Sequence, residues 1–383
     1  MRLRCLVSFP TLLIVLISIY GAQGSPKVEN ASTAVVRAFE THDIVMFGEI
    51  HGNKQEYEWL HSLVATPEFS DHVDDIVVEF GNSLYQESVD RYVSGEDVPL
   101  DQVQRAWRNL VGAIGPPSPV YASLYQAVRE TNQKRKGKHQ MRIVCGDPYI
   151  DWEKVKDRED IAPYLGNRDQ WYTQVVKDEV LAKHHRALLI MGWGHFLRGF
   201  PPGQRTPSIE QQLRSMGART YLIIAGTNTT GGYDDLDHRF DSWSPPAVAP
   251  LDEGWVGELP AMPVLSGGSI MLRPIAPNSA PAASAGSPAD PKLKNFADAL
   301  LYLGPRDSLI VLRMPRVELN GTPYGKEIER RLTIEGIPMN FLFDSDEAPQ
   351  FSRPEAGSRN APPPLPPPPK NTGAPLPPRP PSQ

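Results

Sequence analysis

Cysteine is nearly absent from this chain. Of two cysteines in 383 residues, Cys5 lies just before an apolar N-terminal run and only Cys145 falls in the body of the protein. A disulfide within a mature chain that has lost its leader is thereby excluded, even in a compartment that permits one. Cys145 follows Met141-Arg142-Ile143-Val144, which reads as a core strand, so a buried and inert thiol is expected. The net charge is only −6 and no basic stripe occurs, which argues against nucleic acid as a partner. No internal repeat runs through the chain. Long apolar runs are also missing: the longest, Leu6 to Tyr20, spans roughly 15 residues, short of the ~20 that a stable transmembrane anchor needs.

What stands at the two ends is distinctive. Met1-Arg2-Leu3-Arg4 is a short basic start, the apolar run follows, and Gly21-Ala22-Gln23-Gly24 supplies small residues for cleavage. Residues 1–24 therefore read as a signal peptide, and the protein as exported, periplasmic or secreted. Cys5 precedes the apolar run, so it is not a lipoprotein cysteine. From about Arg353 the chain turns Pro-rich, through Ala361-Pro362-Pro363-Pro364-Leu365 to Pro380-Pro381. Such a tail over 353–383 has little to bury and is expected to be disordered and extended. A second stretch rich in Ala, Ser and Pro, 274–291, reads as a surface insertion. Between them, residues 30–345 are expected to form one α/β domain.

Within that span apolar strand-like runs alternate with amphipathic helical ones. Asp43–Phe47, Asp75–Phe80, Met141–Cys145, Ala187–Met191 and Thr220–Ala225 are expected strands. Helices are expected over Lys54–Ala65, Tyr85–Val93, Gln102–Leu110, Tyr121–Thr131, about Gln170–Lys183 and Ile209–Met216. Contiguous Val, Ile and Leu suit strands covered on both faces. The strand–helix–strand order implies a largely parallel central sheet flanked by helices on both faces. The C-terminal part is less regular, with Ser269–Leu272 and Ser308–Leu312 as candidate edge strands.

Four of the strands end alike, in Gly48-Glu49-Ile50-His51-Gly52, Glu79-Phe80-Gly81-Asn82, Gly146-Asp147-Pro148 and Gly192-Trp193-Gly194-His195. In a parallel open sheet these carboxyl ends share one edge, where such folds bind ligands. Ionisable groups at buried strand ends are costly unless paired, so Glu49, His51, Glu79, Asp147 and His195 are the candidate catalytic residues. A neutral His51 takes a proton from water near neutral pH, with Glu49 or Glu79 orienting the ring. His195 would then serve as second acid/base or donate to an oxyanion. Two histidines with carboxylates equally form an open hydrolytic metal site, with His51, Glu79 and His195 as the ligands of a divalent metal. The spacing leaves both open, since Glu49-Ile50-His51 is not the helical His-Glu-x-x-His pattern. His61, His72, His184 and His185 read as ordinary surface or helix-end residues.

The motifs Gly48-Glu49-Ile50-His51-Gly52, Val78-Glu79-Phe80 and Gly192-Trp193-Gly194-His195 resemble those of the erythromycin esterase/ChaN/Tiki superfamily. Glu79-Phe80 through Tyr85-Gln86-Glu87 and on to Asp90–Glu96 is most similar to its ChaN-like branch. The resemblance covers about Asp43 to Ala225, with Asp298–Pro305 as a further match. What it implies is divided. Similarity to the esterases implies ester or amide hydrolysis with His51 as base, Glu49 as its partner, and Glu79 and His195 in the same cleft. Similarity to Tiki-type proteases implies metal ligands acting on a peptide substrate. Similarity to ChaN-type proteins implies a non-catalytic haem- or ligand-binding protein linked to iron uptake. The missing lipoprotein cysteine departs from many ChaN-like chains, and no axial Tyr or His for haem is identifiable.

Overall fold

Every residue of the strand Ile44–Glu49 (β2) is buried, and the side chains alternate between two separate cores. Val45 and Phe47 enter one core, Ile44 and Met46 the other. That double burial is why the strand reads as an unbroken apolar run and not as an alternating one. The computed structural model describes residues 26–111, 118–166, 168–198, 207–226, 239–261, 264, 292–305 and 308–337. The expected signal peptide, the 274–291 insertion, the Ser269–Leu272 strand and the 353–383 tail lie outside the described residues.

Eight strands form one sheet: Glu29–Asn30 (β1), β2, Asp75–Asn82 (β3), Arg142–Asp147 (β4), Ala187–Gly192 (β5), Thr220–Ala225 (β6), Ala247–Pro250 (β7) and Ala299–Tyr302 (β8). Their order is β1-β7-β8-β6-β2-β5-β3-β4. The run from β8 to β4 is parallel, and only β7 and β1 join antiparallel at one edge. The α/β fold with a largely parallel sheet is thus the observed one. On one face pack the helices Lys54–Ala65, Gln86–Val93 and Pro119–Lys134; on the other, Arg168–Glu179 and Ile209–Ser215. Each fully buried Val, Leu, Ile or Phe contributes about 1.5–3 kcal/mol relative to exposure, so the strands that carry the site are anchored by the two cores.

Three expectations change. Ser308–Leu312 is not an edge strand; it makes one antiparallel bridge, Val311 to Asn53, and crosses the strand ends. Gln102–Leu110 is two single turns, Leu100–Val103 and Arg105–Arg108, the second of which packs against β3. The helix expected from Gln170 begins at Arg168 and ends at Glu179; a short 3-10 turn follows and His184 adopts the left-handed conformation (φ 55°). Helices at Ala31–Ala38, Arg158–Leu165 and Pro323–Glu335 had no expectation attached. Pro163 inside Arg158–Leu165 masks its helical pattern.

Candidate functional site

β2, β5, β3 and β4 are successive parallel neighbours, so their carboxyl ends line one edge at spacings of about 4.8 Å. Glu49 ends β2 and lies level with Gly192 at the end of β5. His195 closes the short turn Trp193–His195 that follows β5. Glu79 falls where the β3–β4 register shifts, between Val78 and Asn82. An irregularity there turns its carboxylate toward the neighbouring strand end. All five residues singled out by sequence therefore stand along this edge, but they do not form one undivided cluster.

At its centre, His51 Nδ1 lies 2.8 Å from Glu49 Oε1. A carboxylate only accepts, so Nδ1 donates to it, and Nε2 is an acceptor whenever the ring is neutral. Tyr57 OH donates to the other Glu49 oxygen at 2.5 Å. Glu49 is thus fully engaged in orienting the ring. His51 Nε2 sits 3.9 Å from Glu79 Oε2, too far for a hydrogen bond. Solvent reaches His51, whose side chain is 28% exposed, whereas Glu49 and Glu79 are buried. Burial opposes a charge on His51, but the Glu79 and Glu49 carboxylates outweigh it and raise its pKa above 6.5.

Glu79 is held from three sides. Gly192 N donates to Oε2 at 2.7 Å, and His195 Nε2 and Arg168 Nη2 both lie 3.2 Å from Oε1. Burial alone would raise its pKa; the charges of His195, His51 and Arg168 instead hold it well below the usual carboxylate range. His195 has carboxylates on both ring nitrogens, since Nδ1 lies 2.5 Å from Asp169 Oδ1. Both nitrogens must donate, so this ring is an imidazolium. Burial disfavours that charge, but Glu79 and Asp169 override it and push the pKa up to about 10. In this state His195 is a donor to Glu79 and Asp169 through both ring nitrogens.

Asp147 lies one step further out. It is fully buried and takes Val111 N (2.6 Å), Tyr172 OH (2.9 Å) and Arg168 Nη2 (3.0 Å). Burial pushes its pKa up to about 6 against the pull of these donors. It joins the site through Arg168, which bridges it to Glu79, and through Tyr172, whose ring packs edge-on against His195. Sequence reasoning missed Arg168, Asp169 and Tyr172, which come from the helix between β4 and β5. Tyr57, within the expected helix Lys54–Ala65, was not singled out either, although a buried hydroxyl needs a partner. Glu56 was missed as well: both its oxygens lie 3.1 Å from Ile50 N, pinning the turn between Glu49 and His51. Burial, reinforced by Glu49, raises the Glu56 pKa well above the usual range. Cys145 is a buried thiol pushed up to about 12 by burial. His185 pairs with Asp75 at the opposite edge of the sheet.

The His195 ion pairs give the fold a pH signature. Raising the pKa of His195 from 6.5 to about 10 adds stability that is full below pH 6.5 and lost as pH climbs toward 10. Lowering that of Glu79 adds stability present above pH 4.5 and lost on acidification below it. Urea unfolding is therefore expected to show a decline on the order of 2–4 kcal/mol between neutral pH and pH 10. His195→Gln should flatten that decline; an unchanged slope would rule out the charged ring.

Glu49, His51 and Glu79 offer one ligand atom each, all within 4.8 Å of one another, so this set fits a divalent cation. His195 is not among the ligand atoms that lie within that distance of one another. No protein-family model matches this chain. No curated protein matches it either. Among solved structures, it is similar to the type III effector HopBA1 at 14% identity and a TM-score of 0.35, over 55% of this chain and 88% of that one. It is similar to a Bacillus cereus protein at 11% identity and a TM-score of 0.41, over 71% of this chain and 90% of that one. It is also similar to ChaN of Campylobacter jejuni, described as binding haem cofacially, at 10% identity and a TM-score of 0.30, over 53% of this chain and 88% of that one.

Proposed function

We propose that this protein is an exported hydrolase that cleaves an ester or amide, with water activated by His51. The observation that carries this reading is the setting of the His51 ring: Nδ1 lies 2.8 Å from Glu49 Oε1, while Nε2 stands 3.9 Å from Glu79 Oε2, beyond hydrogen-bond distance. His51 Nε2 takes a proton from a water lying between it and Glu79. The resulting hydroxide attacks the carbonyl carbon, and the imidazolium then returns the proton to the leaving alcohol or amine. Glu49 holds the tautomer and stabilises the imidazolium, as the acid of a triad does. Glu79, fixed by Gly192 N, His195 and Arg168, accepts a hydrogen bond from the O–H that the hydroxide keeps. Export rests on the leader pattern of residues 1–24, and residues 30–345 are read as one domain preceding the Pro-rich tail.

A divalent cation held by His51 and Glu79 would polarise the same water, and the donor set described above supports that variant. The alternative outcome is a haem- or ligand-binding protein without turnover. Purified protein incubated with a panel of 4-nitrophenyl esters, analysed in parallel for bound metal and titrated with haem, separates the three. Turnover in metal-free protein supports imidazole-activated water, turnover that follows metal content supports the metal, and a Soret band without turnover overturns the hydrolase reading.

A further inference from the structure

Arg168 opens the helix Arg168–Glu179 and ties Glu79 to Asp147 with a single nitrogen. Nη2 alone lies 3.2 Å from Glu79 Oε1, 3.0 Å from Asp147 Oδ1 and 2.5 Å from Tyr172 OH. Among the described residues neither Nε nor Nη1 has a hydrogen-bond partner. Nε is sealed from solvent, whereas Nη1 is not, and the side chain as a whole is 15% exposed. The centre of the Tyr172 ring lies 5.4 Å from Cζ, a contact that leaves the in-plane N–H donors unspent.

Other partly buried arginines spend the whole fork. Arg142, Arg198, Arg330 and Arg331 each engage Nε and both Nη groups with carboxylates, carbonyls or an amide oxygen. Arg135 and Arg108 share an unpartnered Nε, but Arg135 is held at Ser70 and Asp71 ahead of β3, and Arg108 against Tyr324 and Glu318. A guanidinium carries five N–H donors, and those left unmade in a buried setting are costly. A cation on the first residue of a 12-residue helix also opposes the helix dipole. The tie between Glu79 and Asp147 needs one positive nitrogen, which a lysine would supply. The rest of the fork is surplus to that tie.

These spare donors stand beside the reacting atoms. Glu79 sets Oε1 against Arg168 Nη2 at 3.2 Å and Oε2 at 3.9 Å from His51 Nε2, so base and guanidinium flank one carboxylate. The neighbouring donors are spent: His195 on Glu79 and Asp169, and Gly192 N on Glu79. We propose that Arg168 is a catalytic residue, donating through Nη1 to the oxygen of the scissile carbonyl as that oxygen becomes negative. This rests on the hydrolase reading of the His51 site. As the hydroxide forms its bond to carbon, the carbonyl π pair moves onto oxygen, and the oxyanion accepts the Arg168 N–H without taking its proton. The pair then re-forms the C=O bond, and the leaving alcohol or amine departs with the proton held by His51. A neutral carbonyl gains less from the guanidinium than an oxyanion does, so the contribution falls on kcat.

Arg168→Lys separates the two roles, because it keeps a positive nitrogen for Glu79 and Asp147 and removes the fork. Its thermal melting should stay close to that of wild type. Its kcat for a 4-nitrophenyl ester should fall by about 10²–10³-fold, the usual loss of one oxyanion donor, with KM within about twofold. In calorimetry 4-nitrophenyl methylphosphonate, an anionic tetrahedral mimic, should bind wild type about tenfold or more tightly than Arg168→Lys. A crystal structure of wild type with the phosphonate decides independently of how any variant folds: a phosphonyl oxygen should lie roughly 3 Å from Arg168 Nη1. If no ester is turned over, the hydrolase reading fails, and the phosphonate still decides whether Arg168 holds an oxyanion. The assignment is overturned if Arg168→Lys keeps both kcat and phosphonate affinity, if its loss is confined to KM, or if wild type binds no phosphonate or binds it away from Arg168.

Discussion

His51→Ala is expected to lower ester hydrolysis by about 10²–10⁴-fold, the usual contribution of a positioned general base. The loss should appear in kcat, because the imidazole acts on the proton in the transition state and contributes little to ground-state binding. His184→Ala provides the control: His184 is exposed and lies before β5, at the opposite edge of the sheet. Its removal should leave turnover within a factor of two. Circular dichroism of both variants should match wild type, since His51 is partly exposed and outside the two cores. Equal activity in His51→Ala and wild type would remove His51 from the chemistry.

Gly192→Ala should be nearly as damaging, by steric means alone. A Cβ at position 192 would stand 2.8 Å from His51 Nε2, 2.9 Å from Cε1 and 3.4 Å from Glu79 Oε2. The methyl group would occupy the space between base and carboxylate where the water is activated. The ring must rotate away, and its hydrogen bond to Glu49 would break with it. A loss of about 10²-fold or more in kcat/KM is expected, in line with the sensitivity of catalysis to misplacement by about 1 Å. Gly194→Ala is the matched control, because a Cβ there meets nothing within 4 Å. Parallel kinetics of the two variants check this. Comparable activities would place the reacting water elsewhere.

Much of this was legible in the sequence, for identifiable reasons. A strand buried on both faces announces itself by uninterrupted Val, Ile and Leu, so β2, β3, β4, β5 and β6 could be placed. Polar residues at the ends of such strands stand out against them, so Glu49, His51, Glu79, Asp147 and His195 could be selected. Their division of labour could not. His195 is set apart from His51 by Asp169, which approaches its second nitrogen from a helix 26 residues earlier. Arg168 reaches Glu79 across 89 residues, and no local periodicity records a contact of that kind. The segment Ser308–Leu312 misled for a related reason. Its apolar run matches a strand, but it packs one side on a core and offers its backbone to the His51 turn. The short antiparallel edge of β7 and β1 contains too few residues to carry a period.

The central claim is that unprotonated His51, tuned by Glu79, activates the water. The pH dependence of kcat/KM for one ester, in wild type and in Glu79→Gln, tests it most directly. Glu79 and Glu49 raise the His51 pKa, so wild-type kcat/KM should increase with pH through a midpoint above 6.5. Removing the Glu79 charge should move that midpoint down, so that the variant reaches its own plateau at lower pH. A midpoint that does not move, or a rate that falls as His51 loses its proton, would contradict the assignment.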